Sequence, residues 1–195
     1  MNKLLGFFEL RRSGLPCVKW VKFEPSMVLD SKYLWTVRTA IQRGNDFNLP
    51  RKVGVDSSEA YEAALNIYNQ IKDQGMVVVY PYFIAEKSGI LEVGNNRIII
   101  EAVNKDLWNL VTESKKDVTI YESSEKSFIE GNKDFLSIHE YEILKKQATK
   151  VKQIFRSILS EGKSVMLEWS FAHDTDINNK PIGEEYLVFY EARAI

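Results

Sequence analysis

Apolar and polar positions along the chain change period several times, and each change marks an element. Leu4, Leu5, Phe7, Phe8 and Leu10 recur at helical spacing and predict a first helix ending by Arg12, ahead of the breakers Gly14 and Pro16. From Cys17 to Phe23 the period shortens to two, which predicts a strand, and another is expected over 33–39. Residues 44–51 are turn-prone. Asp56 or Ser57 is placed to cap a helix whose inner face is Ala60, Ala64, Ile67, Tyr68 and Ile71, ended near Gly75. Strands follow over 76–84, 89–93 and 97–103, the last two joined by the tight hairpin Gly94-Asn95-Asn96. The charged, turn-rich stretch 122–134 reads as a mobile loop or a lobe boundary. Ser137 and Glu140 have capping-box spacing at the start of a long helix, with Ile138, Tyr141, Leu144, Val151, Ile154, Phe155, Ile158 and Leu159 inward and Gly162 after it. Two apolar runs, 165–171 and 186–193, flank a polar turn and complete an α+β chain.

Composition then narrows the class. With 195 residues, 45% of them apolar, the chain can bury a core as one domain or as two small lobes. The 26 basic residues nearly balance 27 acidic ones, so the overall charge points to neither nucleic acid nor an anionic membrane. The single cysteine, Cys17, excludes an internal disulfide, and two histidines exclude the common Cys/His zinc clusters. Neither a bilayer-spanning apolar stretch nor a signal-peptide core is present, so a cytoplasmic protein is expected.

Chemistry enters with the acids of the final hairpin. Glu168 and Glu191 each lie inside an apolar run. An unpartnered buried carboxylate is costly, so each must face solvent, pair with a cation or hold a metal. A divalent-ion site on the sheet is the functional option, with Arg193 two residues from Glu191 and so on the same strand face. The plain option is the wet face of a half-covered sheet. Asp174, Asp176, Asn178 and Glu185 have calcium-loop spacing, but Asn179 occupies the position that needs glycine and strands flank the loop, so a solvated turn accounts for them. His139 and His173 lack a neighbouring Ser or Cys, and neither phosphate-loop nor dinucleotide-binding glycine motifs occur.

The order of the pieces resembles the nucleotide-binding domain of the phosphoenolpyruvate synthase and pyruvate phosphate dikinase family, a branch of the ATP-grasp fold. Lys3 to Leu10 followed by Gly14-Leu15-Pro16-Cys17 is similar to its opening motifs, and Val37-Arg38-Thr39-Ala40 to its valine-arginine-serine-serine. Val77 to Tyr82 leading into Ser88-Gly89 is similar to its central strand and hairpin. Leu167-Glu168-Trp169-Ser170 and Tyr190-Glu191-Ala192-Arg193 resemble its two closing motifs. The resemblance spans nearly the whole chain and implies two small lobes of antiparallel sheet with flanking helices, residues 1–195 forming one ATP-grasp-like domain. It implies ATP and Mg2+ as cofactors, with Lys3 and Arg38 on the phosphates, Tyr80 and Tyr82 beside the nucleotide, Glu168 and Glu191 on the metal, and Arg193 at the transferred phosphoryl group. Taken singly, Lys3 reads as a solvated terminal lysine, and Arg38 stays open between a phosphate contact and a structural ion pair.

Departures from the pattern matter equally. Lys105-Asp106-Leu107-Trp108 stands where the family has a glycine-rich turn beside the phosphates, Tyr80 stands for one glutamine, and Glu191 for another. The family's phosphohistidine and barrel domains have no counterpart in the sequence, so any phosphoryl acceptor is a separate protein or a small molecule. Two expectations follow: an ATP- and magnesium-binding domain that is a phosphotransferase or ligase-like if active, or a non-catalytic partner-binding or regulatory module that keeps the fold.

Overall fold

Two antiparallel sheets carry the chain, and the alternation of side chains along their strands decides what each face meets. The computed structural model describes residues 1–42, 49–107 and 116–195. Helix α1 (Lys3–Ser13) is followed by β1 (Val21–Lys22), β2 (Trp35–Ile41), β3 (Arg51–Val55), α2 (Ser57–Ile71) and β4 (Gly75–Pro81). Then come β5 (Phe83–Val93), β6 (Arg97–Asn104), β7 (Val118–Ser123), β8 (Ser127–Gly131), α3 (Ile138–Ile154), α4 (Arg156–Ser160), β9 (Val165–Thr175) and β10 (Pro181–Ala194). One sheet has the order β1-β4-β2-β3, the other β10-β9-β5-β6-β7-β8. Among the described residues no helix is long and apolar enough to cross a membrane.

In the smaller sheet, Trp35, Val37, Val77 and Val79 point to one face and pack on Ala60, Ala64 and Ile67 of α2. Alternation therefore turns Arg38, Ala40, Val78 and Tyr80 to the opposite face, toward the larger sheet. In the larger sheet Val165, Leu167, Trp169 and Phe171 face α3 and α4, where Leu144, Ala148, Val151 and Leu159 complete the core. Met166, Glu168 and Ser170 consequently face the smaller sheet. A third cluster, including Phe7, Trp20, Met76, Val78, Ala172 and Val188, joins the two sheets.

Several sequence expectations are corrected. The strand expected over Cys17 to Phe23 is split, because this segment crosses between sheets. Cys17 bridges Phe189 of β10, whereas Val21 pairs with Val79 of β4. The strand expected over 76–84 breaks at Tyr82, where the chain leaves the smaller sheet for the larger. Of the turn expected over 44–51, Arg51 instead opens edge strand β3 (Arg51–Val55), while 44–48 lie outside the described residues. Residues 122–134 do not separate the sheets: they hold the end of β7, a turn and all of β8, an edge strand of the larger sheet. The helix after Ser137 stops at Ile154, and Ile138, expected inward, is 85% exposed.

The capping box is present. Ser137 Oγ accepts from the Glu140 N–H, and the Glu140 carboxylate accepts from the Ser137 N–H and from Lys87 Nζ at 2.7 Å. Burial opposes ionisation of Glu140, yet Lys87 and Ser137 hold its carboxyl below the ordinary value of 4.5. A lowered folded-state value means stabilisation that is complete above the ordinary value and is lost as pH falls through the folded one. Glu140→Gln is thus expected to lower stability by about 1–2 kcal/mol at neutral pH. In urea titrations across pH the gap from wild type should close in acid; a constant gap would contradict the ion-pair account.

Candidate nucleotide and metal site

Lys3 reaches the site because of the helical period of α1. Its buried residues are Lys3, Gly6, Phe7 and Leu10, one face of the helix, so Lys3 shares the stripe that packs on β10 instead of facing solvent. Asn2 caps the helix by accepting from the Leu5 N–H at 3.0 Å. At Gly6 a Cβ would lie 1.9 Å from the Ala192 carbonyl oxygen, so glycine is what allows this close approach.

Glu168 and Glu191 are direct cross-strand partners on β9 and β10. Strict alternation from Phe189, which lies in the core, would send Glu191 into the core as well. An irregularity between Phe189 and Glu191 shifts the register by one. Tyr190 and Glu191 then both face the smaller sheet, Ala192 returns to the core, and Arg193 points back to the site. Bulges re-aim side chains in this way beside functional sites.

Three cations converge on the deeper carboxylate. Glu191 accepts from Arg38 Nη2 at 2.8 Å, from Lys3 Nζ at 3.0 Å and from Arg193 at 2.5 Å, with its side chain 1% exposed. Glu168 is less committed, its nearest cation among the described residues being Arg38 at 3.8 Å. The Arg38 guanidinium also lies 5.6 Å from the Tyr190 ring centre. Burial alone would raise the Glu191 carboxyl, but Arg38, Lys3 and Arg193 outweigh it and hold it below the usual carboxylate value. Burial and the neighbouring Glu191 charge push Glu168 up to about 7. Burial, then Arg38, lower the Lys3 ammonium against the pull of Glu191.

These groups floor a cavity of about 620 Å3 between the sheets, within the range of roughly 300–1,000 Å3 usual for small-molecule sites. All seven residues singled out from the sequence, Lys3, Arg38, Tyr80, Tyr82, Glu168, Glu191 and Arg193, line it. Tyr80 is buried beside Arg38, and burial raises its phenol. Tyr82 stands at the seam between sheets, its N–H donating to the Leu34 carbonyl and its ring parallel to that of Phe83. Sequence reasoning passed over Arg51, which is paired with Arg38 across β2 and β3 and also lines the cavity. Its signal was masked because 44–51 read as a turn. Lys105, in the segment that replaces the expected glycines, has φ of 61° and its ammonium pairs with Glu86 at 2.5 Å; Trp108 lies outside the described residues. The calcium-like loop is a hydrogen-bonded turn, with Asp176 Oδ1 accepting from the Asn178 and Lys180 N–H groups.

Among the described residues no group of three or more His, Cys, Asp or Glu side chains could hold a metal. The in-register pair Glu168 and Glu191 nevertheless fits magnesium, which takes one or two carboxylates and completes its shell with phosphate oxygens and water.

No protein-family model matches the sequence, and no curated protein sequence does. Solved structures do match. D-alanine–D-alanine ligase from Helicobacter pylori is similar with a TM-score of 0.53 at 15% identity, over 98% of this chain and 50% of that one. N5-carboxyaminoimidazole synthetase from Staphylococcus aureus gives 0.51 at 15% identity, over 98% and 43%, and a second structure of that enzyme is complexed with ADP. A macrocyclase from Microcystis aeruginosa, bound with a precursor peptide, gives 0.51 at 10% identity, over 97% and 51%. The chain spans about half the length of the solved structures it matches. At such identities the likeness shows the fold, which is ATP-grasp-like.

Proposed function

We propose that the chain is an ATP- and magnesium-binding domain of the phosphoenolpyruvate synthase type that transfers a phosphoryl group from ATP to an acceptor. The observation that carries this reading is the convergence of Lys3, Arg38 and Arg193 on the carboxylate pair Glu168 and Glu191 in one inter-sheet cavity. Lys3, Arg38, Arg51 and Arg193 line the cavity beside Asp106, Glu168 and Glu191, which gathers cationic donors where a polyphosphate needs them. Glu168 and Glu191 would hold the metal, which when bound supplies charge neutralisation across phosphate oxygens. Lys3 and Arg38 would position the phosphates, with Tyr80 and Tyr82 beside the nucleotide. Arg193 would stabilise the charge that develops as the phosphoryl group leaves. ADP in one structural neighbour and a precursor peptide in another are precedents for a bound nucleotide and a bound peptide in this fold.

Calorimetry with ATP, with and without magnesium, tests the reading. Nucleotide at 100 times its dissociation constant should add about 2.7 kcal/mol of stability; no saturable binding at millimolar nucleotide and magnesium would sink the proposal. Arg193→Ala is expected to leave ground-state binding nearly intact while lowering turnover roughly 100-fold or more, because its contribution belongs to the transition state. Equal loss of binding and turnover would instead make Arg193 a binding residue. The second reading, a non-catalytic partner-binding or regulatory module, is favoured by Lys105, whose ammonium is tied to Glu86 in the segment where the resemblance expects phosphate-contacting glycines. Binding without turnover would support it.

A further inference from the structure

Strand β8 leaves one edge of the larger sheet open. It is the last strand in the order β10-β9-β5-β6-β7-β8 and is exposed along its whole length, with Phe128 38% and Ile129 41% accessible. Its hydrogen bonds to β7 decide which backbone groups remain. The Ser123 N–H donates to the Lys126 carbonyl and the Asn132 N–H to the Asp117 carbonyl, so the even-numbered residues between them turn their backbone to β7. Ser127 and Ile129 therefore direct N–H and C=O away from the sheet, where they form a template for another strand. Lys126, Phe128 and Glu130 share one face by alternation. On that face the Phe128 ring is stacked with Tyr121 at 5.1 Å and lies 4.7 Å from Lys126 Nζ. Among the described residues neither the Lys126 ammonium nor the Glu130 carboxylate has an ion-pair partner.

We propose that this edge pairs with the same edge of a second copy, antiparallel about a two-fold axis at Phe128, and joins two six-stranded sheets into one. Self-complementarity is what selects a second copy. The outward phase of Ser127 and Ile129 admits only registers in which these residues form the hydrogen-bonded pairs. With Phe128 at the axis, Ser127 faces the second copy's Ile129 and exchanges both N–H···O bonds with it. Lys126 then faces the second copy's Glu130, and the pairing repeats on the other side of the axis. Phe128 meets its own copy at a position without hydrogen bonds, where cross-strand side chains come closest and aromatic and opposite-charge pairs stabilise. Sliding by two residues in either direction sets Phe128 against Glu130 or against Lys126 and removes the reciprocal ion pairs. None of these residues lines the inter-sheet cavity, so the proposal stands apart from the nucleotide-binding reading.

Sedimentation analysis over protein concentrations of about 1–500 µM tests it, because one strand pair is smaller than a standard interface and should give a dissociation constant of roughly 10–100 µM. Lys126→Glu sets acid against Glu130, and Glu130→Lys sets base against Lys126; each should weaken the dimer about tenfold. The double variant Lys126→Glu/Glu130→Lys restores opposite charges and should return to within about threefold of wild type. Ile129→Pro removes an outward N–H without removing a bond to β7, so it should abolish the dimer. Should that variant not fold, the exposed charge variants still decide the matter. A wild type that stays monomeric across the range would overturn the inference and leave the edge to an extended segment of a different protein. A dimer that none of these changes weakens, or that the double variant does not restore, would overturn it too, because the copies would then meet elsewhere or in another register.

Discussion

Arg38→Ala is expected to cost the fold about 3 kcal/mol, near the lower end of the roughly 3–5 kcal/mol seen when one partner of a buried ion pair is removed. The lower end applies because Lys3 and Arg193 still hold Glu191 after the guanidinium is gone. What is lost is the 2.8 Å bond to Glu191, the charge beside Glu168 and the cation facing Tyr190. Urea denaturation should show this as a lower midpoint at unchanged slope. Under the proposed function, the stabilisation expected from magnesium and ATP should vanish in the same variant. Arg38→Lys should recover charge without the planar fork, and hence only part of either effect. If Arg38→Ala proves as stable as wild type, desolvation of the cluster already cancels its attraction, and the ion pairs serve orientation alone.

Gly6→Ala sets two effects of opposite sign against each other. In a helix interior alanine is preferred to glycine by about 1 kcal/mol. Here the added methyl would lie 1.9 Å from the backbone oxygen of Ala192, and a backbone atom of a paired strand cannot step aside as a flexible side chain can. Overpacking of this kind costs about 1–3 kcal/mol and occasionally more, so the clash wins and net destabilisation of about 2 kcal/mol is expected. Because α1 carries Lys3, displacing it should also weaken nucleotide binding. Gly14→Ala is the control: at φ 69° with nothing within 4 Å, it should lose only about 1 kcal/mol and leave binding alone. Equal effects at the two positions would mean that α1 is not seated on β10 as described.

The last hairpin shows what the sequence made legible. Two apolar runs around a polar turn gave the strands, and period-two alternation put Glu168 opposite to Leu167 and Trp169. The register shift at Tyr190 was harder to see, although Leu187, Phe189 and Ala192 as successive core residues spell out the skipped position. Lys3 was legible only through the helical spacing it shares with Gly6, Phe7 and Leu10. What could not be read depends on partners distant in sequence. The break at Tyr82 is invisible because Val77 to Ile84 is continuously apolar or aromatic apart from Pro81, and nothing local says that the chain changes sheets there. Strand β8 was hidden because it is an edge exposed throughout and is held by pairing with β7 instead of by a buried face.

The carboxylate cluster also fixes when during folding the site can exist. Arg38 and Glu191 are 153 positions apart, and Lys3 is farther still from Glu191, so the contact that organises the cavity closes one of the longest loops in the chain. Long-range closures of this kind are paid in chain entropy before they return any stabilisation, which places them late and makes them slow. During synthesis, α1 and the smaller sheet emerge well before β10, and Lys3 and Arg38 cannot meet Glu191 until that strand has docked. Under the proposed function, nucleotide can therefore reward only molecules that have finished folding, and the rate at which binding competence appears after dilution from urea should report the docking of α1 on β10 rather than the formation of either sheet.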